Sequence, residues 1–99
     1  MYEIDPMKIP LELQAAIPLA EKWGFPDEAE RIALAEHSSN EELKSFLSIM
    51  KALDIRFLLD WVSRADGILT KEQETFMNLA LAIDAVEMVL QERGIDVEF

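Results

Sequence analysis

A chain of 99 residues that is 51% hydrophobic and has no cysteine is long enough to bury one core, and it excludes disulfides, thiolate metal sites and thiol nucleophiles. Twenty acids against nine bases give a net charge of −11, with ten of the acids in residues 1–50 and ten in residues 51–99. A surface this negative repels phosphate backbones and anionic lipid, which argues against direct nucleic-acid or membrane binding, and it attracts a basic protein.

The start, MYEIDPMKIP, carries acids early and has no apolar core behind a basic segment, so it does not read as a leader. No window approaches the roughly 18–20 apolar residues that cross a bilayer. The expectation is a cytoplasmic protein. Residues 1–9 read as an N-terminal segment, and Pro10 offers a first helix start. In LELQAAIPLAEKWG, Leu13, Ile17, Ala20 and Trp23 share a helical face. Pro18 falls inside this stretch and predicts a kink, or two short helices meeting. Gly24 is expected to end the helix in a left-handed conformation, with Phe25 packing back on Ala20.

Pro26 is read as the start of the next helix, with Asp27 and Glu28 at its positive end. It runs through DEAERIALAEH, with Ala29, Ile32, Ala33 and Leu34 as apolar content and His37 at its end. Ser39 followed by Glu42 is a capping box. It opens an expected long helix over residues 40–65, with Leu43, Phe46, Leu47, Met50, Leu53, Phe57, Trp61 and Ala65 in one stripe. The stretch IRFLLDWV is apolar on most sides, so Trp61 is expected in the core.

Thr70 with Gln73 is a second capping box, and the last helix runs to about Arg93. Phe76, Leu79, Ala80, Ile83, Val86 and Leu90 line its main apolar face. Met77, Leu81, Ala85, Met88 and Val89 extend that face, leaving a polar stripe of Gln73, Asp84, Glu87 and Gln91. Gly94 is read as the C-terminal stop, with Ile95 packing on Leu90. The tail, residues 95–99, alternates apolar and acidic residues. The fold expected is a single all-α domain over residues 1–99, with about four helices in a bundle or orthogonal array and the last two longest.

The turn SRADGILT is similar to an EF-hand loop at Asp66, Gly67 and Leu69. With Gly67 at loop position 6, Asp66 falls at position 5. Position 1 is then Val62, position 3 Arg64 and position 12 Gln73, none of which is a carboxylate. The turn is therefore read as a corner between helices rather than a metal loop.

The other constellations have structural explanations. His37 is the lone histidine, without a second histidine or a cysteine for a zinc site. Asp84 and Glu87 are i,i+3 neighbours whose carboxylates could serve a magnesium-dependent helical hydrolase. An Arg56–Asp60–Arg64 ladder accounts for Asp60. There is no glycine-rich phosphate loop and no nucleophile elbow. No cofactor and no catalytic residue is expected.

The segment from Glu21 to Glu42 stands apart. Glu21, Asp27, Glu28, Glu30, Glu36, Glu41 and Glu42 face only two bases, Lys22 and Arg31, around Trp23 and Phe25. Acids around an aromatic anchor suit an interface with a basic partner. The leading expectation is a small, non-enzymatic, acidic binding module that occupies a basic surface of another protein, as inhibitors, immunity proteins, antitoxins and nucleic-acid mimics do. Its interface would comprise these seven acids and Trp23. The alternatives are a self-associating structural protein and the magnesium hydrolase.

Overall fold

A computed structural model of the chain describes residues 5–64, 67 and 69–97. Two short 3-10 helices, Pro6–Lys8 and Leu11–Ala16, lead into five α-helices. These are α1 (Ile17–Trp23), α2 (Glu28–Glu36), α3 (Asn40–Ala52), α4 (Ile55–Ser63) and α5 (Lys71–Glu92). No strand occurs among the described residues. The all-α expectation holds, and the helix count is one higher than expected.

The extra helix comes from a break inside the expected long third helix. Leu53 is extended, with φ −78° and ψ 151°. Asp54 then caps α4, its carboxylate accepting from the Phe57 backbone N–H at 3.1 Å. An aspartate three residues before a helical N–H satisfies a terminal donor that continuous helix would not expose, so it stabilises a restart. Pro18 acts much as expected, because the 3-10 turn becomes α-helix at Ile17 and proline occupies the first turn of α1.

Both capping boxes form. Ser39 and Glu42 exchange bonds at the start of α3, as do Thr70 and Gln73 at the start of α5. At the other end of α5, Gly94 has φ +77°. Its N–H reaches the Gln91 carbonyl, and the Ile95 N–H reaches the Leu90 carbonyl, each at 3.0 Å. This is the Schellman pair of bonds. Two other helix ends differ from expectation. Gly24 has φ −78°, so it is not a left-handed stop, and Phe25 stays exposed beside it. Pro26 precedes α2 without starting it, because Asp27 is the cap and accepts from Ala29 N at 2.9 Å.

The core is built around α5, which packs on α1, α2, α3 and α4. Leu13, Trp23, Leu43, Phe46, Met50, Leu58, Phe76, Leu79, Val86 and Leu90 are buried together. Ile95 and Val97 of the tail pack against this core without forming a strand. Trp23 lies against Phe46 with ring centroids 4.8 Å apart. Trp61, expected in the core, is only half-buried and meets Phe76 edge-on at 5.6 Å.

The rotation of α5 is set at its crossing with α1. A Cβ on Gly24 would lie 2.6 Å from Thr75 Cγ2 and would also press on the Ala20 carbonyl. Asn78 Nδ2 donates to the Gly24 carbonyl at 3.4 Å. Thr75 and Asn78 are therefore buried, and Glu72 with them. The helix turns Met77, Leu81 and Met88 outward at 39%, 43% and 38% exposure. The expected extension of the apolar face thus divides, with Ala85 and Val89 inside and these three outside. Beyond α5, Arg93 fastens the α2–α3 corner, donating to the Ser38 and Glu36 carbonyls and to Asn40 Oδ1 at 3.0, 2.9 and 2.8 Å.

Candidate acidic interface

The corner between α1 and α2 is the part of the acidic segment with the most definite shape. Pro18 and Gly24 confine α1 to seven residues, and Asp27 starts α2 three residues beyond Gly24. One turn into α2, Arg31 reaches back and donates to the Phe25 carbonyl, which holds the corner in place. Glu21 comes from the last turn of α1 and Glu30 from the first turn of α2. With Ala20, Gly24, Phe25, Pro26 and Thr75 they line a cleft of about 390 Å³. Of these lining residues, Ala20, Gly24 and Thr75 are buried, while Phe25 and the two glutamates are exposed.

The remaining acids do not join this cleft. Glu28 sits two residues before Glu30, about 200° around the helix, and residues at that spacing do not share a face. It lines a second cleft, of about 330 Å³, between α2 and α5 with Arg31, Ile32, Leu81, Asp84, Ala85 and Met88. Glu41 and Glu42 stand at the start of α3 beside Lys22, over a shallow hollow. Glu36 is exposed near the end of α2. Asp27 is exposed, and its carboxylate serves as the α2 cap.

Trp23, named with these acids as an interface residue, is 2% exposed. It packs on Phe46 and contributes to the lining of the hollow beside Glu41 and Glu42, with Lys22 Nζ 5.9 Å from its ring centroid. The aromatic ring available at the corner is that of Phe25. Sequence periodicity placed Trp23 on one apolar face with Leu13, Ile17 and Ala20, and that signal favoured the core over the surface.

The electrostatics of the segment are more one-sided than its composition. Arg31 is 6% exposed, with its Nε lacking a partner among the described residues. Lys22 pairs with Glu42 at 3.4 Å. The backbone N–H of Ser39, then Lys22, holds the Glu42 carboxyl below the usual glutamate range. One base is therefore removed from the surface and the other is engaged. Glu21, Glu28, Glu30, Glu36 and Glu41 remain exposed and outside the ion pairs found among the described residues.

Asp84 lines the α2–α5 cleft, while Glu87 is half-buried outside it. No cluster of three or more His, Cys, Asp or Glu side chains suited to a metal ion occurs among the described residues. His37 is the C-cap of α2. Asp60 pairs with Arg64 at 2.6 Å, which is one half of the expected ladder. Asp66, on which the calcium reading depended, lies outside the described residues, as does Ala65. No helix among the described residues is long and apolar enough to cross a membrane. Searches of family models, curated proteins and solved structures find no match to this chain, so its functional reading rests on the arrangement of its own residues.

Proposed function

We propose that this chain is a small acidic protein-binding module that occupies a basic surface of a partner protein, without a catalytic site of its own, and that it works in the cytosol. Inhibitors, immunity proteins, antitoxins and nucleic-acid mimics share this physical form. The observation that carries the reading is the corner between α1 and α2. There Glu21 and Glu30 rim a cleft beside the exposed Phe25, while Arg31, one of the segment's two bases, is buried. A lysine or arginine of the partner entering the cleft would meet two carboxylates and an aromatic face. These are the two groups that attract a cation in a partly desolvated site.

The test is affinity capture from native cytosol at low and at high salt, with the chain and with its Glu21→Lys, Glu30→Lys variant. The captured partner is then purified and its binding rates measured. The expected result is capture that fades with salt and an on-rate reduced about tenfold or more by the reversal. Capture indifferent to both salt and reversal would overturn the proposal. Self-association is the alternative, and the exposed Met77, Leu81 and Met88 on α5 are the observation in its favour. Sedimentation equilibrium separates the two readings.

A further inference from the structure

The outward face of α5 lies outside the acidic corner. Met77, Leu81, Asp84 and Met88 stand at i, i+4, i+7 and i+11, and so fall within about 60° of one another around the helix. All four are exposed. The rest of α5 is covered by four other helices, so this strip is where a soluble helix would ordinarily carry only polar residues. Here three of the four are large and apolar, and two of these are methionines.

A separate hollow lies at each end of the strip, so that strip and hollows together offer a docked helix one open groove. At one end, Met77 meets Leu59, Val62 and Leu69 in a hollow of about 340 Å³ beside α4. At the other, Leu81 and Met88 meet Ile32 in the α2–α5 cleft. From Met77 to Met88 the strip spans about 16 Å, or three turns of a docked helix. Asp84 and Glu28 supply carboxylates at the α2 end. Neither belongs to an ion pair among the described residues.

We infer that this groove receives an amphipathic, basic helix of the partner protein, with its apolar face on Met77, Leu81 and Met88 and a lysine or arginine beside Asp84 and Glu28. The inference rests on the acidic-module reading and names the form of its partner. Apolar anchors at i, i+4 and i+7 are how a helix reads such a groove. Methionine side chains adapt to whichever anchors arrive. Charge decides between this occupant and a second copy of the chain. Two copies meeting face to face would set Glu28 and Asp84 of each against the other's, on chains of net charge −11. A basic helix finds the same carboxylates complementary.

The probe is a fluorescent leucine–lysine peptide of about 18 residues, ~27 Å long when helical, with a scrambled isomer of identical composition as control. Binding is followed by anisotropy on the chain, on a Met77→Gln, Leu81→Gln, Met88→Gln variant and on the Glu21→Lys, Glu30→Lys variant. The three glutamines replace exposed side chains, and circular dichroism verifies that the helices persist. The expected result is binding of the ordered peptide about tenfold tighter than the scrambled one, a ratio that falls to about one in the glutamine variant. Equal binding of the two peptides to the unaltered chain overturns the groove. So does a preference that survives the glutamines, or a chain dimer that those glutamines dissociate. Equal binding that is lost on reversing Glu21 and Glu30 removes the groove and leaves the acidic reading standing. A preference confined to the glutamine-sensitive face and untouched by that reversal keeps the groove and removes the corner.

Discussion

The two tryptophans occupy opposite kinds of surroundings, and in each case the composition of the flanking sequence, unlike the periodicity at Trp23, points the other way. Trp23 belongs to a seven-residue helix in the most acidic part of the chain, yet it is 2% exposed and lies on Phe46. Trp61 belongs to IRFLLDWV, the most apolar stretch, yet it is half-buried at the margin of the core, edge-on to Phe76. The difference is one of neighbours. α1 is held against α5 at Gly24, so its apolar face looks inward. α4 is apolar on more sides than its contact with α5 covers, so Leu58 and Val62 are buried while Leu59 remains 49% exposed. Local hydrophobic density does not measure depth, because a short helix can bury only the stripe that faces a partner.

The largest expected effect falls on this pair. Trp23→Ala should cost about 3–5 kcal/mol and Trp61→Ala about 2 kcal/mol, in proportion to the surface each ring removes from water. Urea denaturation of both variants measures the gap, and equal costs would dissolve the comparison. Acrylamide quenching sharpens it, since Trp61→Phe should leave a shielded emitter and Trp23→Phe an accessible one.

A smaller effect is expected at the seat of the Trp23 region. Gly24→Ala should destabilise by about 1–3 kcal/mol, because its methyl presses on Thr75 and the Ala20 carbonyl, as overpacking does. Thr75→Ser removes the nearer of the Thr75 contacts and should recover part of that loss when combined with Gly24→Ala. A neutral Gly24→Ala would mean that α1 is free to shift on α5.

The smallest effect concerns Glu42, which joins Lys22 above the same region. Its carboxyl is held below the usual range by the Ser39 N–H and by Lys22. A lowered folded pKa stabilises the fold above the unfolded value, and the contribution is lost as pH falls through the folded value. The stability gap between the unaltered chain and Glu42→Gln should therefore be steady near neutrality and shrink as pH drops below the ordinary glutamate range. A gap that widens on acidification would reverse the assignment.

What could be read from the chain was local. The capping boxes at Ser39 and Thr70 and the stop at Gly94 each depend on residues within six positions, so their bonds were legible in advance. The restart at Asp54 had a signal too, since an aspartate three residues ahead of Phe57 in an apolar run is a cap in waiting, but periodicity across Leu53 masked it. The turn of α5 was not legible. It depends on Gly24 and Asn78 meeting across 54 residues, and no window of sequence contains both. The acidic segment was legible as charge but not as shape. Helical geometry separates Glu28 from Glu30, and the burial of Arg31 depends on where the Phe25 carbonyl turns.

The clamp formed by Arg93 has a consequence for how the molecule is made. Synthesis runs from the N-terminus, so α1 to α4 leave the ribosome before the helix on which all four pack. At about 5–20 residues per second, the 22 residues of α5 take roughly 1–4 s to add. Throughout that interval the nascent chain has nothing to cover Trp23 or Phe46 on the α5 side. The Ser38 and Glu36 carbonyls must wait for residue 93. The fold therefore cannot close before α5 is made, and a chain stalled within α5 would present its interior to the cell's chaperones.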